Sequence, residues 1–192
     1  MERLGQKKAT SPRSLLIMVV VFLVFGIGKM WYGDSSDTLE GAIRKLWKFP
    51  VTVVMSEDAH NGVIFKEKEM YVFNTYDKWL GRYFYSGSGE DGWRYDVGFD
   101  AMMLRTIYQE GIGDVVWGVV DTVKPVKEVE VLFIDRKDPT HTISMKIPVT
   151  NKGFIGYQKN QLYVSETDAA NKWQVHAVVY ASDGSVLMKK DF

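Results

Sequence analysis

Val126 to Ile134 reads VKEVEVLFI, and it decides the fold class. Val129, Val131 and Phe133 alternate with Glu128, Glu130 and Leu132, the period of two that sends successive side chains to opposite faces of a strand. Similar runs surround it: VVWGVVD (115–121), TISMKIPV (142–149), GFIGY (153–157), QLYVS (161–165), WQVHAVVY (173–180) and SVLMKK (185–190). Asp183-Gly184 between the last two is a type I′ hairpin signal. Seven short strands in about eighty residues predict a Greek-key β-sandwich of immunoglobulin-like kind over 112–192, without the cysteine pair of antibody domains. Trp173, Val175 and Ala177 are expected to share one face.

Upstream, residues 34–111 predict a helix followed by an antiparallel β meander, an α+β arrangement. Asp37 and Glu40 have capping-box spacing, Leu39, Ile43, Leu46 and Trp47 form one apolar stripe, and Pro50 ends the helix. VTVVM (51–55), GVIF (62–65), MYVF (70–73), GRYFY (81–85) and WRYDVGF (93–99) read as strands, separated by His60-Asn61-Gly62 and by the loop Ser86 to Gly92. Asp100 to Glu110 fits a short helix, with Met103, Leu104, Ile107 and Tyr108 at helical spacing and Gly111 as its stop; a strand fits almost as well.

The N-terminus has a different character. Leu15 to Ile27 is an unbroken apolar run, LLIMVVVFLVFGI, and the uncharged stretch extends from Ser14 to Gly28. Fifteen residues fall short of the roughly 20 that a perpendicular spanning helix prefers. Letting Lys29 snorkel and counting Met30, Trp31 and Tyr32 makes nineteen, with the two aromatics at an interface. Arg3, Lys7, Lys8 and Arg13 precede the run, and Asp34, Asp37 and Glu40 follow it. Positive-inside asymmetry then predicts a cytoplasmic tail (1–13), a transmembrane anchor (14–33) and an extracytoplasmic remainder, single-pass in the cell membrane with the lipid bilayer as partner. A cleaved signal peptide is the rival, disfavoured because the run exits into GKMWYGD (28–34) and not into the expected small-x-small cleavage site.

Lys plus Arg equals Asp plus Glu at 24 each, but residues 1–33 hold five basic side chains and one acidic, leaving 19 and 23 beyond. That acidic excess argues against nucleic acid, whose phosphates require a basic face. The chain has no cysteine, so disulfides and lipidated cysteine are excluded. A cysteine-free exported domain suits a Gram-positive envelope.

Trp117-Gly118-Val119-Val120, Val129-Glu130-Val131, Ile147-Pro148-Val149, Gly153-Phe154 and Val178-Val179-Tyr180 before Asp183-Gly184 are similar to the extracytoplasmic β-domain of small single-pass proteins of Gram-positive bacteria. The resemblance covers roughly 112–190 and rests on strand-and-turn patterns. It implies location and fold; the family carries no assigned activity, and no functional residue follows from it.

Chemistry is sparse. His60, His141 and His176 lack metal-ligand spacing, and no G-x-S-x-G, Ser-x-x-Lys or HExxH motif is present. The expectation is no cofactor, no metal and no catalytic residue. The loop SGSGEDG, with Glu90, Asp91 and Asp96, reads first as a mobile hairpin and second as a calcium cradle. The densest unusual feature is aromatic: Tyr76, Trp79, Arg82, Tyr83, Phe84, Tyr85, Trp93, Arg94 and Tyr95 within twenty residues. Cross-strand pairs stabilising the sheet are the plain interpretation. The functional one is a recognition surface of Trp79, Arg82, Tyr83, Tyr85, Trp93 and Tyr95 for an envelope protein or a cell-wall polymer. A non-enzymatic interaction or sensory module is therefore expected, with an envelope saccharide-binding protein or hydrolase as the alternative.

Overall fold

The computed structural model describes residues 12–88, 90–94, 101–159, 162 and 172–192. In chain order these form α1 (Pro12–Asp34), β1 (Ser35–Ser36), α2 (Leu39–Arg44), β2 (Val51–Glu57), β3 (Gly62–Glu67), β4 (Met70–Thr75), β5 (Asp77–Trp79) and β6 (Arg82–Phe84). They continue as β7 (Asp91–Arg94), β8 (Ala101–Gln109), β9 (Gly113–Asp121), β10 (Val126–Asp135), β11 (Thr142–Pro148), β12 (Gly153–Gln158), β13 (Trp173–Ala181) and β14 (Val186–Asp191).

The strands make four antiparallel sheets, ordered β1-β6-β5, β2-β3-β4-β7, β12-β9-β8 and β11-β10-β13-β14. Three apolar clusters glue them into a stack. Val116 and Val120 of β9, with Met102 and Phe154, pack on Val129, Val131, Phe133, Ile143, Ile147, Trp173, Ala177 and Val179. From the other face of the same sheet, Val115, Trp117, Val119, Met103 and Ile155 meet Ile64, Tyr71 and Phe73. Beyond that layer, Val63, Phe65 and Val72 face Ala42 and Ile43 of α2 together with Tyr76 and Tyr85.

Two sheets are therefore covered on both faces, which explains their sequences. β9 is buried at eight successive positions, and its run VVWGVV is apolar without alternation, as a strand enclosed on both sides requires. β10 lies in the end sheet with one face outward and keeps its strict alternation. Close packing also explains Gly118: a Cβ there would sit 2.1 Å from the Met103 carbonyl oxygen and 2.4 Å from the Phe154 ring.

Several expectations are corrected. Residues 101–109 are strand, paired along their whole length with β9, because both faces are wanted. Met102 and Leu104 go to one cluster, and Met103 and Ile107 to the other. Adjacent pairs on a doubly buried strand reproduce the spacing of a helical stripe. The immunoglobulin-like arrangement over 112–192 gives way to the stacked sheets, since β8, ahead of residue 112, completes the sheet opposite β10 and a further sheet covers its far side. A two-sheet sandwich describes that pair of layers. Of the run 161–165 only Leu162 is described; it is buried, its N–H donating to Asp114 at 2.8 Å and its carbonyl accepting from Trp173 Nε1 at 3.0 Å.

α2 is shorter than predicted. Thr38, not Asp37, caps it, its Oγ1 accepting from Gly41 N at 3.1 Å. Asp37 is held by Arg82 instead.

The transmembrane anchor is corrected as well. α1 is a 23-residue helix whose side chains from Leu15 to Ile27 are exposed. Among the described residues, however, no helix is long and apolar enough to cross a membrane. The physical reason is length between charges: fifteen uncharged residues rise about 22 Å, against a hydrocarbon core of about 30 Å. The extension through Met30, Trp31 and Tyr32 rests on side chains outside the described set. Single-pass location in the cell membrane and the cytoplasmic placement of residues 1–13 fall with the anchor. At its C-terminal end α1 is tied to α2 by Lys45, whose Nζ donates to the Gly33 carbonyl at 2.6 Å and the Ser35 carbonyl at 2.5 Å. An ammonium on terminal carbonyls also complements the helix dipole.

Candidate interaction site

The small sheet β1-β6-β5 breaks up the aromatic cluster. Its register sets Asp77 opposite Phe84, Lys78 opposite Tyr83 and Trp79 opposite Arg82, leaving Leu80 and Gly81 as a two-residue turn. Both turn residues have positive φ, 47° at Leu80 and 78° at Gly81, as type I′ geometry demands. Gly81 suits it. Leu80 does not, because a branched side chain in the left-handed region is strained and Asn is the residue ordinarily found there.

The apex displays its apolar groups to solvent. Leu80 is 75% exposed and Trp79 58%. Below them the hairpin is held firmly. Arg82 Nε donates to Ser35 Oγ at 2.6 Å, Nη1 to Asp37 Oδ1 at 2.5 Å and Nη2 to the Ser35 carbonyl at 3.3 Å. The guanidinium is thereby neutralised and largely covered. Lys78 Nζ lies 5.0 Å from the Tyr83 ring centroid, and Tyr83 leans on Tyr76 with centroids 5.7 Å apart.

Tyr85 belongs to the core. It is 7% exposed and meets Phe65 edge-on at 5.8 Å, with Trp47 on Phe65 at 5.1 Å. Its hydroxyl donates to Glu90 Oε1 at 2.5 Å, and that oxygen also accepts from Trp47 Nε1 at 2.9 Å. Burial, then the Glu90 bond, push the Tyr85 phenol well above its ordinary value of 10.0. Tyr76 is raised likewise, by burial and by donating to Asp58 Oδ1 at 3.0 Å.

Trp93 lies in β7 opposite Tyr71, its side chain outside the described set, and Tyr95 falls outside the described residues altogether. Of the four proposed recognition residues whose side chains are described, Trp79 is thus displayed, Arg82 is tied to Ser35 and Asp37, Tyr83 leans on Tyr76, and Tyr85 serves the core.

The carboxylates of the glycine-rich loop diverge. Glu90 turns to Tyr85 and Trp47. Asp91 accepts from Arg105 Nε at 3.1 Å, Arg105 Nη2 at 2.9 Å and Trp117 Nε1 at 2.8 Å. Both act as latches between layers, and Asp96 lies outside the described residues. Among the described residues no group of three or more His, Asp or Glu is placed to hold a metal ion. The three histidines are dispersed, His60 near Glu57 at 4.0 Å, His141 near Asp135 at 3.6 Å and His176 near Asp191 at 2.5 Å.

One polar group had no sequence signal. Glu57 ends β2, and its carboxylate accepts from the backbone N–H of Ala59 at 2.8 Å and of His60 and Gly62 at 3.1 Å. It also accepts from the Tyr157 hydroxyl of β12, over whose ring His60 stacks at 3.9 Å. Burial and Glu57 push the Tyr157 phenol far up, so it stays a donor. The cluster staples a turn to the neighbouring sheet, and its only foreshadowing was the His60-Asn61-Gly62 turn.

Comparison with protein-family models, with curated proteins and with solved structures finds no match for this chain.

Proposed function

We propose that this protein is a non-enzymatic interaction module whose contact element is the β5–β6 hairpin. One observation carries the reading. Two large apolar side chains, Trp79 and Leu80, stand exposed on a turn whose backbone disfavours one of them. Strained conformations persist where the surroundings over-determine them, and they concentrate at binding and switch sites. Here the surroundings are the Arg82 bonds to Ser35 and Asp37. An exposed aromatic–aliphatic pair on a braced hairpin has the character of an anchor.

The test is a photo-crosslinking residue placed at 80, and separately at 186, in the full chain expressed in its own cells. Adducts from 80 and none from 186 are the expected result. No adduct from 80 with protein or lipid would refute the reading.

A further inference from the structure

We infer that the occupant of the hairpin tip is a lipid surface, which the Trp79–Leu80 pair enters as a shallow wedge; this rests on the interaction reading above. The first argument is shape. Leu80 lies in the two-residue turn and Trp79 in the cross-strand pair that closes it, and both are exposed, so the tip is convex. A protein partner must offer a preformed cavity to a convex tip. A fluid interface closes around it.

The second argument is chemistry. An indole beside an aliphatic side chain matches the headgroup boundary, where tryptophan's apolar body and N–H donor are both accommodated. The third is charge. Next to the apex the Arg82 cation is spent on Asp37, and the neighbouring cation is the Lys78 ammonium, which lies over the Tyr83 ring one cross-strand pair behind the turn. Its partner in a bilayer is a lipid phosphate, and one such cation adds affinity for anionic lipid. The contact is one-sided and shallow and requires no spanning helix.

The absence of cysteine makes the test direct. Leu80→Cys in the full chain creates a single thiol for an environment-sensitive fluorophore; Val186→Cys, on an exposed position of β14, is the control. Each is mixed with phosphatidylcholine vesicles, with and without phosphatidylglycerol, and then with vesicles of brominated lipid. The local probe separates the tip from any adsorption through α1. The expected result is a blue shift at 80, several-fold stronger bromine quenching at 80 than at 186, and loss of the added effect of phosphatidylglycerol in K78E. A label at 80 that keeps its spectrum in water overturns the lipid assignment. If the photo-crosslinker at 80 then captures a protein, the interaction module stands and its occupant is a protein; if it captures nothing, both readings fail.

Discussion

Arg105 of β8 grips Asp91 of β7 through two hydrogen bonds, so two adjacent sheets of the stack are joined by one carboxylate that also accepts from Trp117. Removing one partner of such a pair strands the other among desolvated groups, which is worse than never having had it. Asp91→Ala should lower unfolding stability by about 2–3 kcal/mol, read as a shift in urea midpoint at unchanged slope. Asp91→Asn keeps an acceptor for Trp117 and should lose about half as much.

A second prediction concerns Leu80. Its positive φ is a conformation that Asn tolerates better than leucine. Leu80→Asn should therefore raise stability by about 0.5–1 kcal/mol while removing half of the proposed anchor. Denaturant unfolding checks the first effect and the vesicle assay the second. Lower stability in Leu80→Asn would mean that the exposed side chain contributes packing after all.

Gly118 gives a third. Alanine there meets the Met103 carbonyl oxygen, a backbone atom that moves only if β8 moves. The expected loss is about 3 kcal/mol, with reduced amide-exchange protection in β8 and β9.

Alkaline pH supplies the fourth. The Tyr85, Tyr157 and Tyr76 phenols are held neutral above the unfolded value of 10.0. Above pH 10 the native state therefore binds more protons than the unfolded chain, and stability falls as pH rises. Below 10 these groups contribute no slope. Tyr157→Phe should flatten the fall above pH 10, measured by unfolding at stepped pH, and leave the neutral range without a new pH dependence.

How much was legible before the structure follows from what each residue faces. VKEVEVLFI announces its strand because one face of β10 is buried and the other only half-buried. Asp183-Gly184 announces its hairpin because Gly184, at φ 84°, needs the freedom of glycine. Met102 to Tyr108 misleads because Met102 and Leu104 pack on one side and Met103 and Ile107 on the other, which erases the alternation that separates strand from helix. The Leu80-Gly81 turn hides because leucine carries no turn signature, and it is there that function is proposed. Glu57 and Tyr157 lie one hundred positions apart, a pairing that only the stacking of layers creates. The crowding of aromatics between 76 and 95 was visible, but not its division between core and apex. That division depends on β6 ending at Phe84, which turns Tyr85 inward to Phe65.

The central claim, that the β5–β6 apex is the surface the protein uses, is tested most directly by hydroxyl-radical footprinting of the isolated chain and of the chain in its own cells. The account predicts strong labelling of Trp79 and Leu80 in isolation and protection of both in cells, with Val186 labelled equally in the two settings. Equal labelling of Trp79 and Leu80 in both would contradict it.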